Sequence, residues 1–438
     1  MLTNKKIVLK GQLNVPFDKS ILHRAFITAA IADGTSFIRV PICGFDCLST
    51  IHCLRNLGVS ITMCKEGYQV DGVGIHGLKS YEGNLNCENS GTTARLLMGL
   101  LSGQQFCSHL TGDHSLSQRP MGRVSQPLGL MGASICYQQH EGVLPLTIHP
   151  RILKGITYDM TVPSAQVKSA IIYAALYADE MSCIRELTPT RNHTELFLSH
   201  CGVQIQEENH IISIYPTDHI HCFDLEIPGD FSSAAYFIAA ALILPDSEIC
   251  IRKVGINPTR IGFLSVIKEM GGHIQIENQS LQNGEPIGDI YVKYSLLKGI
   301  TIDKNKIPSL IDELPLIAIL ACCAQGKTLV QGAQELRIKE CDRIHAIVEN
   351  LTNMNADIIE YSDGFAILGG QPLTCTTVKT YNDHRIAMSF TIASLFAKGT
   401  LSLDNTSCVA VSYPEFFQDL SNLTGQSIIK NGSEIITI

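Results

Sequence analysis

Leu57-Gly58-Val59-Ser60-Ile61 reads as a helix end, a left-handed stop and the start of a strand. Glycine enters the left-handed region without steric cost and is the common residue just past a helix. The same punctuation returns at Met131-Gly132-Ala133-Ser134-Ile135, Cys201-Gly202-Val203-Gln204-Ile205 and Met270-Gly271-Gly272-His273-Ile274. It returns again at Met354-Asn355-Ala356-Asp357-Ile358 and Thr424-Gly425-Gln426-Ser427-Ile428. The stops lie roughly 70 to 85 residues apart, and self-similarity at a near-fixed period signals a repeat architecture. The repeats span Ser36–Ile61, Ser108–Tyr137, Ser182–Gln206, Glu248–Glu277, Lys327–Glu360 and Thr400–Ile429.

Further helices are expected between the stops, at Ser20–Ala32, Thr92–Ser102, Ser164–Ala178, Ser232–Leu244, Ile311–Ala324 and Asp383–Ala397. Each repeat then holds two helices and several strands. Six of them in 438 residues divide into two globular halves of three, since a single core does not keep growing at that length.

Composition narrows the class. Hydrophobic residues make up 45% and charged residues 17%, enough apolar side chain for full cores. Lys plus Arg number 33 against 41 Asp plus Glu, a net charge of −8. An acidic balance argues against a protein that wraps nucleic acid. The apolar runs Ala234–Pro245 and Leu314–Ala324 fall short of the ~18 residues of a membrane span, so they read as buried helices. The 16 cysteines include no Cys-x-x-Cys pair. Met1–Gln12 reads as a short strand rather than a secretory segment, so free thiols in a reducing cytoplasm are expected. His219, His221 and Cys222 stand close together. No second cluster at zinc spacing accompanies them, so no metal is expected there.

Helix starts and cations recur together. Asp18-Lys19-Ser20-Ile21-Leu22-His23-Arg24 opens a helix capped by Asp18 or Ser20, with Ser20 and Arg24 on one face. Asn89-Ser90-Gly91-Thr92-Thr93-Ala94-Arg95, Pro163-Ser164-Ala165-Gln166-Val167-Lys168-Ser169 and Asn382-Asp383-His384-Arg385 are three more openings. In Arg337-Ile338-Lys339-Glu340-Cys341-Asp342-Arg343 the spacing sets Lys339 and Arg343 on one helical face with Glu340 beside it. One capped helix beside an arginine is ordinarily just a capped helix. Several in an acidic chain point to a site for more than one phosphate or carboxylate, because free helix N–H groups and the helix dipole both favour anions.

These segments resemble a known family. They occur, with Gln118-Arg119-Pro120-Met121-Gly122, Thr190-Arg191-Asn192-His193-Thr194-Glu195, Ile227-Pro228-Gly229-Asp230, Asn257-Pro258-Thr259-Arg260 and Ile311-Asp312-Glu313, in the order found in the 3-phosphoshikimate 1-carboxyvinyltransferase (5-enolpyruvylshikimate-3-phosphate synthase) family. The run Ser164-Ala165-Gln166-Val167-Lys168-Ser169-Ala170 and the Arg191 segment resemble the family's second class.

The resemblance implies the enolpyruvyl transferase fold: a two-domain inside-out α/β barrel of six βαβαββ repeats, three per domain. Residues 1–18 with 231–438 would form one domain and 19–230 the other, with the active site in the interdomain cleft. It implies a monomeric cytoplasmic enzyme without metal or cofactor, without nucleic-acid or membrane partners. The enzyme would move the enolpyruvyl group of phosphoenolpyruvate to the 5-hydroxyl of shikimate 3-phosphate.

The resemblance also assigns residues. Lys19, Gly91, Thr92, Arg119, Gln166, Arg343 and Arg385 would meet phosphoenolpyruvate. Lys19, Ser20, Arg24, Ser164, Ala165, Gln166, Arg191, Asp312 and Lys339 would hold shikimate 3-phosphate. Asp312 would be the base at the 5-hydroxyl, Glu340 the proton donor to the methylene carbon, and Lys19 a neighbour of the reacting centre. The bland readings are a helix cap for Asp312 and a surface ion pair for Glu340.

Two positions depart from the pattern: Phe17 stands where the family usually has glycine, and Val411 where its first class has a lysine. The sister enzyme that acts on a UDP-sugar shares the architecture but uses a loop cysteine and lacks the Asn382–Arg385 run in this form. A non-catalytic anion-binding repeat protein would not need Asp312 and Glu340 among its cations.

Overall fold

The computed structural model describes residues 7–40, 43–426, 429–430 and 434–435, the last two pairs by their backbone. Ser427 and Ile428 of the sixth stop, and the first six residues of the expected N-terminal strand, lie outside the described residues. The described chain forms six four-stranded sheets and twelve α-helices.

It divides into two compact units: a middle unit, Phe17–Ile227 with Leu281–Glu285, and a terminal unit, Met1–Pro16, Pro228–Ser280 and Pro286–Ile438. The middle unit carries α1 (Lys19–Ala30), α2 (Phe45–Asn56), α3 (Gly91–Ser102), α4 (Gly122–Leu130), α5 (Ala165–Ala175) and α6 (His193–His200). The terminal unit carries α7 (Phe231–Ile243), α8 (Gly262–Glu269), α9 (Leu314–Cys323), α10 (Arg343–Asn353), α11 (His384–Ser394) and α12 (Phe416–Thr424).

Every sheet follows one plan. Asn84–Asn86 lies parallel to Ser108–Thr111, which lies antiparallel to Leu146–His149, and Ser134–Tyr137 closes the far edge. Two sheets take their first strand from far along the chain. Asp224–Glu226 runs parallel to Asp33–Arg39 in the middle unit, and Lys10–Leu13 parallel to Glu248–Ile251 in the terminal unit.

All six stop positions adopt positive φ: 90° at Gly58, 94° at Gly132, 92° at Gly202, 91° at Gly271, 65° at Asn355 and 65° at Gly425. At each the chain leaves a helix in the left-handed region and turns into a strand.

Within each unit the most apolar helices lie at the centre. Every residue of α7 is buried, as are Leu314–Cys322 of α9. A helix apolar on all sides belongs in the middle of a core, and α7, α9 and α11 pack on one another. In the middle unit α3 packs on α1 and α5. A Cβ at Gly99 of α3 would fall 2.1 Å from Ala170 O of α5, so only glycine permits that approach. No helix of the described residues is long and apolar enough to cross a membrane.

Three local expectations need correction. The helix expected over Ile311–Ala324 begins as a 3-10 turn, Ile311–Glu313. Pro315 follows in the first α-turn, where its missing N–H costs nothing. The helix expected to reach Ala178 stops at Ala175.

Lys339 and Arg343 do not share a helical face. A 3-10 turn ends at Ile338, and α10 begins at Arg343 after a break. The cause is Asp342, whose carboxylate accepts the His345 N–H at 3.0 Å and caps α10 there.

Cys43, Cys47, Cys53, Cys87, Cys201, Cys250, Cys322 and Cys408 are free thiols buried as small apolar groups. His219 lies 3.0 Å from Asp33, and the described residues hold no group of three metal-ligating side chains.

Candidate functional site

In the middle unit the assigned residues gather at three helix starts. Asp18 caps α1, accepting the N–H groups of Ser20 at 2.8 Å and Ile21 at 3.0 Å, so Lys19 and Ser20 occupy the first turn. Ser90 caps α3, accepting the Thr93 N–H, which leaves Gly91 and Thr92 first. Ser164 caps α5, accepting the Val167 N–H, ahead of Ala165 and Gln166. The starts of α3 and α5 are joined: Gln166 Nε2 donates to Thr92 Oγ1 at 3.0 Å and its Oε1 accepts from Arg95 Nη1 at 2.6 Å. First-turn N–H groups have no intrahelical partner and favour an anion.

Cations collect around these starts. Lys19 Nζ is 3.1 Å from Asp46 Oδ2. Arg119 donates to Asn89 Oδ1 at 2.6 Å. Burial pushes Arg95 down to about 10, and the neighbouring charges of Arg123 and Arg119 add to this. Cations gathered this closely are eased by an anionic ligand.

Arg24 sits behind Ser20, 3% exposed. It donates to Thr194 Oγ1 at 2.6 Å, Ser169 Oγ at 2.7 Å and Ser20 O at 2.8 Å. Burial lowers its pKa, and Arg191 is among the neighbouring charges that act in the same direction. The Arg191 loop is held by a buried group that sequence reasoning missed. Lys168, fully buried, lies 2.9 Å from Glu186 and 2.7 Å from Glu195. It donates to Thr190 O at 3.2 Å, and Glu186 Oε1 accepts the Thr190 N–H at 3.1 Å. The available signal was one lysine in the otherwise uncharged run from Val167 to Ala175.

In the terminal unit the assigned residues converge on Asp312. Lys339 Nζ lies 3.8 Å from its carboxylate, Arg343 Nη1 3.6 Å and Arg385 Nη2 3.6 Å. Asp312 lies inside the 3-10 turn and does not cap α9, so the cap reading fails. Arg343 is fully buried and also meets Glu340 at 2.5 Å and Asp383 at 2.7 Å. Its Nη1 is buried without a hydrogen-bond partner, an unusual state for a charged donor.

Burial alone would raise Glu340, but Arg343, then His384 and Lys339, hold it well below the usual carboxylate range. Its side chain is 40% exposed while that of Arg343 is 1% exposed, so only the carboxylate end of the pair faces solvent. Burial lowers Arg385, yet Asp312 and further acidic neighbours outweigh it and raise it. Asp383, which caps α11 and fixes Arg343, was quoted in the sequence without a role. Val411 ends a 3-10 turn with its side chain exposed, and Phe17 is half-buried against the middle unit's core.

Comparison with known proteins identifies the family. The family model of EPSP synthase (3-phosphoshikimate 1-carboxyvinyltransferase) matches residues 4–420. A 3-phosphoshikimate 1-carboxyvinyltransferase of Thermoanaerobacter sp. (strain X514) is 48% identical over 420 residues, 96% of this chain and 99% of the relative. One of Thermodesulfovibrio yellowstonii is 45% identical over 425 residues, 96% of this chain and 99% of the relative. A solved EPSP synthase from Acinetobacter baumannii superposes with a TM-score of 0.88 at 41% identity, covering 96% of each chain. The architecture is thus that of the two-domain α/β enolpyruvyl transferases. Within that class, the chain belongs to the EPSP synthase family.

Proposed function

We propose that the chain transfers the enolpyruvyl group of phosphoenolpyruvate to the 5-hydroxyl of shikimate 3-phosphate, releasing phosphate, in the shikimate pathway to aromatic amino acids. The observation that carries the chemistry is the group of two carboxylates, Asp312 and Glu340, gathered around Arg343 with Lys339 and Arg385. Both substrates are polyanions, so bringing them together needs fixed cations.

Asp312 takes the 5-hydroxyl proton while Glu340 gives one to the methylene carbon of phosphoenolpyruvate. The adjacent carbon becomes cationic and is attacked by the 5-oxygen. The tetrahedral intermediate then expels phosphate as the new methyl group returns a proton. Lys19, Gly91, Thr92, Arg119, Gln166, Arg343 and Arg385 hold phosphoenolpyruvate. Lys19, Ser20, Arg24, Ser164, Ala165, Gln166, Arg191, Asp312 and Lys339 hold shikimate 3-phosphate. Acid–base duties and positioning suffice, and no metal or organic cofactor enters the scheme.

The Ser164–Ala170 run, Arg191 and Val411 support membership of the second class. A monomer in the cytoplasm, acting on small molecules alone, completes the reading. Phosphate release that requires both substrates tests it; release from phosphoenolpyruvate with a UDP-sugar instead would favour the sister enzyme.

The wall at Gly91 makes one prediction. A Cβ built there lies 3.2 Å from Arg95 Nη1 and 3.6 Å from Nη1 of Arg119, the latter a cation assigned to phosphoenolpyruvate. Glyphosate, the family's inhibitor, is the longer molecule in that pocket. The wild type is expected to be inhibited competitively with phosphoenolpyruvate. Gly91→Ala should raise the inhibition constant about 10- to 200-fold, the range for one methyl-sized change in a pocket. The Michaelis constant for phosphoenolpyruvate should rise only a few-fold. Equal rises in both constants would mean that Gly91 does not gauge ligand length.

A further inference from the structure

Between α1 and α3 runs a line of buried polar side chains that the reaction scheme does not use. His23 Nδ1 lies 2.7 Å from Thr50 Oγ1, and Thr50 Oγ1 lies 2.7 Å from Thr93 Oγ1. Thr93 Oγ1 donates to Ser90 Oγ at 2.8 Å. His23 is 1% exposed, Thr50 and Thr93 0%, and Ser90 3%.

Each hydroxyl has one proton, so the order of the line follows. Thr93 spends its proton on Ser90 and must accept from Thr50; Thr50 must then accept from His23 Nδ1–H. The imidazole is therefore the Nδ1-protonated form. Burial pushes it down to about 3, against the pull of Asp46, so it is neutral at working pH.

The ends of the line adjoin the residues assigned to phosphoenolpyruvate. His23 lies one turn after Lys19 in α1. Ser90 is the cap directly before Gly91, and Thr93 directly follows Thr92. The middle belongs to α2, whose Asp46 lies one turn before Thr50. Asp46 meets Lys19 Nζ at 3.1 Å, and its backbone carbonyl, 3.4 Å from Thr93 Oγ1, is the longer of two acceptors for that one hydroxyl proton. Helix α2 thus ties both helix starts through residues four apart on one face. A fully satisfied buried network fixes its elements in one arrangement, and a half-satisfied one does not.

We propose that the His23–Thr50–Thr93–Ser90 line sets the Gly91–Thr92 helix start against Lys19, with Thr50 as the positioning residue at its pivot. This rests on the functional reading above, since it takes Lys19, Gly91 and Thr92 as the phosphoenolpyruvate contacts. Thr50 touches neither substrate; it acts through the two helix starts.

The test is steady-state kinetics of Thr50→Val, which keeps the shape and removes the hydroxyl, beside Thr50→Ser, which keeps the hydroxyl. Thr50→Val is expected to lower kcat/KM for phosphoenolpyruvate about 10- to 100-fold, the cost of a small misplacement of binding groups. The Michaelis constant for shikimate 3-phosphate should stay within about two-fold, and Thr50→Ser should recover most of the loss.

A Thr50→Val enzyme within about two-fold of wild type for phosphoenolpyruvate overturns the proposal. So do equal rises in both Michaelis constants, which would mark general loosening. Should Thr50→Val fail to fold, His23→Leu reads the other end of the line and should show the same split. His23→Asn, whose amide N–H can stand in for Nδ1–H, should restore it. Nitrogen NMR of the wild type should find His23 neutral with its proton on Nδ1; a proton on Nε2 alone contradicts the order of the line. A wild type that releases no phosphate from the two substrates overturns the functional reading, and this proposal with it. A wild type that turns over beside an unimpaired Thr50→Val overturns the positioning role alone.

Discussion

Glu340→Gln is expected to lower kcat by about 10²–10⁴-fold, the usual cost of losing general acid–base help. Shikimate 3-phosphate should still bind within a few-fold of wild type. Gln keeps the size of the side chain and can still accept from Arg343, which stands 2.5 Å away. What it loses is the proton.

The electrostatics make the case exacting. In the resting protein Arg343, His384 and Lys339 overcome partial burial and keep Glu340 ionised, the wrong state for a donor. The substrates themselves supply the remedy. The phosphate and carboxylate of phosphoenolpyruvate bring negative charge to the cations that hold the proton off. The buried Arg343 Nη1, without a hydrogen-bond partner, is a donor such an anion can satisfy.

Asp312→Asn should also lose turnover, through the 5-hydroxyl proton. It should weaken shikimate 3-phosphate binding more than Glu340→Gln does, because Asp312 is assigned to that substrate. Rapid-mix phosphate release and calorimetric binding separate the two effects. Turnover of Glu340→Gln within a few-fold of wild type would remove it from the proton-donor role.

Some of this was plain in the sequence because its cause is local. A left-handed residue after a helix needs glycine or asparagine whatever the rest of the chain does, and all six stops show it. Helix caps are equally local: Asp18, Ser90, Ser164 and Asp383 stand at their helix starts with the expected bonds. The error over Lys339 and Arg343 was also local. A spacing of four suggests a shared face, but Asp342 was itself a cap signal.

What stayed hidden depends on partners distant along the chain. Nothing near Asp46 announces Lys19, and nothing near Thr50 announces His23 or Thr93; these meet only through packing of α2 on α1 and α3. The resemblance placed the N-terminal strand with the C-terminal half, but its pairing with Glu248–Ile251 was not legible, since a short strand carries no sign of its neighbour. Asp312 and Glu340 looked like a cap and a surface ion pair. Only the cations converging from α10 and α11 give them a common place.

Lys168→Met is expected to cost the middle unit about 3–5 kcal/mol, the scale for removing one partner of a buried ion pair. For a unit of this size that is a fall in melting temperature of roughly 6–20 °C. Met fills much of the same space, so the loss is electrostatic. Glu186 and Glu195, 6% and 4% exposed, would be left as buried carboxylates without their cation. Burial already raises Glu195 above its ordinary value of 4.5, and Lys168 is the main influence pulling it back. Without Lys168 it rises further.

A carboxyl raised in the folded state binds its proton more tightly there than in the unfolded chain. Stability therefore holds at pH below the unfolded value and is lost as pH climbs through the folded one. The deficit against wild type should thus be largest at neutral pH and shrink on acidification toward pH 4.5. Adding Glu195→Gln to Lys168→Met should recover part of the loss, because it removes one stranded charge; the double-mutant cycle measures how much.

Function should suffer in one direction. Lys168 and Glu186 together hold Thr190 by its carbonyl and its N–H, directly before Arg191. The Michaelis constant for shikimate 3-phosphate should rise more than that for phosphoenolpyruvate. A melting point within about 2 °C of wild type, or a deficit that does not change with pH, would mean that the two carboxylates are neutralised some other way.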